Sequence, residues 1–219
     1  MAQTNTIAGE LGRGDMGHIR FTLAGGWSVR EFADLLDTVD FFYRRLNAYF
    51  FYTTGAGLEA LREEVDGAAE VGVRPTNPDF LGSLVAAALA HLGILQVTRL
   101  EVGSPGVADF SGRLNPLKVG ADIIGRWRKA DTERMRMRMR TEDATERVRS
   151  ETEAEARKLE IAADVIKAMM QSGEGGRVLE AGALSAFVRY TLEEPITRLR
   201  LVADDDRVEA VSVSDGEVA

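Results

Sequence analysis

The strongest constraint this chain places on its own fold is a long run of charged residues. Between Arg126 and Ser172 there is neither glycine nor proline, and Arg, Lys, Glu and Asp dominate. A helix that enters this stretch meets neither of the two residues that most oppose it. Asn115-Pro116 marks the start, as an N-cap followed by proline at the first helical position. Gly173 marks the end, as a residue free to adopt a left-handed cap. The pattern predicts one helix from about Pro116 to Gln171. Its 56 residues would span ~84 Å at the α-helical rise, about twice the width of a compact domain of this length.

The run is not uniform. Leu117, Val119, Ile123, Ile124 and Trp127 make its first end apolar, and Leu159, Ile161, Ala162, Val165, Ile166, Met169 and Met170 its last. The middle is polar all round, and pairs four residues apart can support it: Lys129/Glu133, Arg138/Glu142, Asp143/Arg147, Arg149/Glu153 and Glu153/Arg157. Charge is also sorted, with seven basic against two acidic residues over 126–140, then four basic against seven acidic over 141–160. Three arrangements satisfy this pattern. The helix can pair antiparallel with a second copy, basic half on acidic half. It can stand as a solvated spacer. It can fold back near Thr141 to Ser150, with Ser150 and Glu153 capping a second helix. A coiled-coil seam is satisfied only late, by Leu159, Ala162, Ile166 and Met169. The candidate interaction surface is therefore Arg134, Arg136, Arg138 and Arg140, with Leu159, Ile166 and Met169. The Arg134-Met-Arg-Met-Arg-Met-Arg140 run also admits contact with nucleic acid or an anionic membrane. Its arginines spread around the helix and no aromatic residue is interleaved, so a solvated face is the plainer reading.

Composition narrows the chemistry. The chain has 219 residues and 45% hydrophobic content, enough for a core without staples. A net charge of −8 argues against a generally basic nucleic-acid binder. With no cysteine, disulfides, thiolate catalysis and Cys-ligated zinc all drop out, and a cytoplasmic location is expected. His18 and His91 are too few for a His-rich metal centre.

Residues 1–17 read as a Gly-rich mobile tail without a signal-peptide core, and its Arg13-Gly14-Asp15 as a chance match to an adhesion tripeptide. An α+β head is expected over 18–114. His18 to Leu23 alternates as a half-buried strand, and Ser28 with Glu31 forms a capping box for a helix reaching about Tyr52. A short helix follows near Leu58 to Ala69. Asn77-Pro78 opens another, and Phe80 to Val97 reads as a buried helix running into a strand rather than a membrane span. Val97 to Val102 should be a strand with Thr98, Leu100 and Val102 on one face, returning through Gly103-Ser-Pro-Gly106 to Val107–Phe110. After the long helix (115–172), residues 177–213 should complete the head: a helix from Leu179 to Leu192, ended by Pro195, then strands at Leu199–Val202 and Val208–Val213. An acidic tail (214–219) closes the chain. The predicted class is α+β, a small antiparallel sheet with helices on one face and the long helix protruding or forming a pairing arm.

The strand Leu100-Glu-Val102, the turn Gly103 to Gly106, the charged helix after Asn115 and the strand–helix unit of Ile19 to Leu46 resemble a recurrent pattern in bacterial proteins without an assigned activity. The resemblance implies a bacterial cytosolic protein and carries over no functional residue. Gly103 to Gly106 lacks the P-loop lysine and the spacing of a hydrolase elbow, and Asp204-Asp-Asp206 lacks the further acid of an EF-hand. No acid–base pair, triad or metal set emerges, so no catalytic, metal or cofactor residue is expected. The leading expectation is a non-enzymatic interaction or oligomerisation module that assembles with itself or a protein partner through the long helix. The alternatives are a nucleic-acid- or membrane-contacting regulator using the Arg/Met run, and an enzyme with a pocket beside the aromatic stretch Tyr49 to Tyr52.

Overall fold

The computed structural model describes residues 16–53, 56–92, 94–101, 105–138, 153, 156–161, 163–164, 181–205 and 207–215. Strand β1 (Met16–Leu23) places Ile19, Phe21 and Leu23 on one face, all buried, as its alternation requires. Helix α1 (Val29–Tyr52) begins on the expected capping box: the Glu31 amide donates to Ser28 Oγ at 3.2 Å, and the Ser28 amide donates to Glu31 Oε2 at 2.8 Å. Trp27, just outside the cap, meets Phe32 edge-on at 6.3 Å, a hydrophobic staple that sets the entry angle of the helix. Helices α2 (Ala56–Glu70) and α3 (Pro78–Leu92) follow, and Asn77 Oδ1 caps the latter by accepting from the Asp79 amide at 2.9 Å.

Strands β2 (Gln96–Glu101) and β3 (Gly106–Arg113) form an antiparallel pair, and β4 (Val208–Asp215) pairs with β1. The antiparallel sheet runs β2-β3-β1-β4, the split βαβ connectivity, in which each helical crossover returns the chain two strands away. Phe21 and Phe110 meet edge-on at 5.7 Å in its core face. The central pair also admits α1 closely at Gly112, where a Cβ would lie 2.7 Å from the Tyr43 ring, and Tyr43 Oη accepts from the Arg113 amide.

Helix α4 (Leu114–Arg138) lies on this face and buries Leu117, Ile123, Ile124 and Trp127. Here, of the arrangements open to the segment from Pro116 to Gln171, the described residues fit the fold-back. Trp127 Nε1 donates to the Lys158 carbonyl at 3.1 Å, and Arg157 pairs with Glu133 at 3.2 Å. Residues 127 and 158 would stand ~46 Å apart along one straight helix, so the helical residues 156–161 lie back against α4. The fold-back gives the buried Trp127 indole N–H its acceptor, the Lys158 carbonyl, which a straight extension would carry away. Glu133 consequently pairs across the fold-back, with Arg157.

The C-terminal part differs most from expectation. Helix α5 (Ala181–Val188) continues through a π-helical turn (Arg189–Glu193) into α6 (Glu194–Ala203), so Pro195 does not end a helix and Leu199–Val202 is not a strand. A strand would put Leu199 and Leu201 on the same face; instead they are 1% and 69% exposed, as helical spacing dictates. Pro195 leaves one carbonyl of the π-turn without its donor. In an i→i−5 pattern the carbonyl of Tyr190 would accept from residue 195, which has no amide hydrogen. Arg45 Nη1 donates to that carbonyl at 2.7 Å instead.

Candidate interaction surface

Three surface features carry enough chemistry to weigh. The first is the root of the fold-back. Lys158 is 3% exposed, and its ammonium lies 2.7 Å from Asp131 and 2.6 Å from Asp204, which also meets Arg200 at 3.1 Å. A buried cation held by two carboxylates avoids the desolvation cost of standing alone. It fixes residues 156–161, α4 and the end of α6 to one another. Of the residues expected to form an interaction surface, Arg134, Arg136 and Arg138 fall in the last turns of α4. Leu159 is exposed on the returning segment. Arg140, Ile166 and Met169 lie outside the described residues. Arg134 and Arg138 stand four residues apart in α4, one helical turn from each other.

The second feature is a stack of cations and rings on α1 and α6. The Arg45 guanidinium sits 3.2 Å from the Tyr190 ring centroid and 4.5 Å from that of Phe41, and Arg198 lies 4.4 Å from Phe41. Glu194 accepts from Arg45 at 3.2 Å. Burial draws the Arg45 pKa below the ordinary arginine range. At the N-terminal end of α1, Arg207 covers Trp27 at 4.2 Å, is bidentate to Asp205 at 2.9 and 3.0 Å, and reaches Glu31 at 3.0 Å. Its hydrogen bonds hold the Asp205 carboxyl below the usual range. The groove of about 200 Å³ beside it is smaller than a typical ligand pocket. Both arginines are engaged by the fold itself.

The aromatic stretch imagined beside an enzyme pocket is also occupied. Tyr49 stacks on Phe187 at 6.2 Å, and Tyr52 Oη donates to the Leu84 carbonyl at 3.0 Å. Burial pushes the Tyr49 hydroxyl up to about 12. Among the described residues no group of His, Asp and Glu is placed to hold a metal ion, and no helix is long and apolar enough to cross a membrane.

The third feature is the edge strand β2. Val97 pairs with Phe110 and Leu100 with Ala108, so both side chains point to the face that the helices cover over β3 and β1. Yet Val97 is 51% exposed and Leu100 46%, and Ile94 just before them is 60% exposed. No described helix reaches over this strand. The expected facing of Thr98 with Leu100 fails because the register shifts between Val97 and Arg99, leaving Thr98 in a bulge. That bulge, which moves Val97 onto the face of Leu100, is what sequence periodicity missed. On the opposite face, over which no described helix packs, Arg99, Asp109, Arg20 and Ser212 form a cross-strand row, with Arg20 bidentate to Asp109 at 2.7 and 2.8 Å. That ion pair lowers the Asp109 pKa, chiefly through the Arg20 hydrogen bond. The described residues of this face include no Phe, Tyr or Trp; its one ring is the imidazole of half-buried His18.

No family model, curated protein or solved structure matches the chain. The likeness drawn on Leu100 to Gly106 thus gains no support, and any functional reading rests on the surface itself.

Proposed function

We propose that this chain is a non-enzymatic interaction module that assembles through surface outside its core, in a reducing compartment such as the cytoplasm suited to a cysteine-free chain. The observation that carries the proposal is β2. An edge strand holds two large apolar side chains on the core-side face, half in water, where the other strands of the sheet have helical cover. Such an edge presents unmet backbone groups beside apolar surface and favours pairing with another chain. The ordinary safeguards against pairing are partial here: one bulge and one ion pair, Arg99 with Glu101 at 2.9 Å. The fold-back arm supports the same reading as a second exposed element, through Leu159 and Met135.

The test is light scattering after size exclusion across a hundredfold range of concentration. A mass rising above that of one 23.9 kDa chain is expected. A monomer throughout overturns self-assembly as the function.

A further inference from the structure

The exposed strip of β2 has a self-complementary pattern. Ile94, Val97 and Leu100 are its apolar components, and Arg99 and Glu101 stand two residues apart on the other face. We infer that a second copy of this chain covers the Leu100 end of the strip, its β2 antiparallel to the first, with the two-fold axis passing through Leu100. The inference rests on the interaction-module reading and names the partner of that same edge.

Charge selects the register. With the axis at Leu100, each Arg99 stands opposite the Glu101 of the other copy, and the two Leu100 side chains face each other on the apolar side. An axis at Arg99 would oppose two arginines, and an axis at Glu101 two glutamates. A parallel in-register pair would oppose both like-charged sets. Like charges directly opposite destabilise a sheet, and opposite charges support it. The Arg99–Glu101 pair is already formed within one strand at 2.9 Å, so exchanging partners across the axis brings no net charge together, although the whole chain carries −8. Residues related by a two-fold make an isologous interface, the commonest closed form of self-association. The bulge at Thr98 limits the regular ladder to Arg99–Glu101. The contact is therefore small, and the dimer depends on concentration rather than being obligate.

The absence of cysteine makes the register directly testable in the full chain. Facing residues of an antiparallel pair have Cα atoms about 4.5–5.5 Å apart, within the reach of a disulfide. Leu100→Cys is expected to yield a covalent dimer under mild oxidation. Gln96→Cys, whose two copies would stand ~27 Å apart along the paired strands, is expected to yield at least tenfold less. Leu100→Lys, with an unchanged thermal midpoint, is expected to raise the dimer dissociation constant at least tenfold by light scattering. Equal crosslinking of the two cysteine variants, or none from Leu100→Cys, overturns the axis. If that happens while the unaltered chain still dimerises, the module reading stands and only the β2 two-fold is lost. A chain monomeric at every concentration removes both.

Discussion

The sheet has two edge strands, and their fates differ. At β4, Val208 is fully buried and Val211 and Val213 are partly buried beneath α4. At β2, all six residues are exposed, including the two that point to the same side of the sheet. Both strands are apolar on that side, so composition does not separate them. Position does. The segment before β4 is fastened twice, by Lys158 on Asp204 and by Arg207 on Asp205 and Glu31. Beyond β2 no described helix continues the layer. The comparison teaches that an apolar residue on the core side of a strand is a core residue only if the next layer extends over it.

The largest expected break of this comparison is at the fastening of β4. Lys158→Ala leaves Asp131 without its buried cation and should cost about 3 kcal/mol, measured by urea unfolding. Amide exchange should quicken in 208–215 before it quickens in 96–101; the reverse order would mean that Lys158 does not secure the β4 edge. A matched pair of substitutions is the next test. Val208→Thr buries a hydroxyl and should cost about 1–3 kcal/mol, whereas Val97→Thr should stay within about 0.5 kcal/mol. Equal losses would show that β2 is covered in solution.

The smallest effect is acid titration of the Arg207 clamp. Asp205 has a folded pKa below its ordinary value, so it contributes stability above the normal carboxylate range and loses it as pH falls through the depressed pKa. Asp205→Asn should lower the thermal midpoint modestly at neutral pH and converge with the unaltered chain below about pH 4, so that the acid limb flattens. An unchanged acid limb would place the clamp outside the folding equilibrium.

Much of the head was legible because its signals are local. Ser28 and Glu31 form their capping box within one turn, and Ile19, Phe21 and Leu23 alternate within one strand. Asn77 caps α3 two residues away. The errors arose where a distant partner decided. Leu199-Arg-Leu-Val202 has the look of a strand, but burial of Leu199, Val202 and Ile196 against α1 draws it into a helix. Pro195 looks like a stop, but Arg45, far off in sequence, satisfies the carbonyl that the proline leaves free. Of the candidate surface, only the charged segment was visible beforehand. The exposed edge was not, since a bulge at Thr98 changes which side chains share a face and no periodicity encodes it.

By itself the sequence determined an α+β chain, a capped first helix, an antiparallel sheet and a charged helix entered near Pro116 from an apolar end. Only the tertiary structure decided that this segment turns back on itself, and why. Trp127 and Lys158 are each costly to leave where a straight helix would put them, and each finds its partner on the other limb or at Asp204. Local propensity sets whether a helix forms; burial of particular side chains sets where it goes.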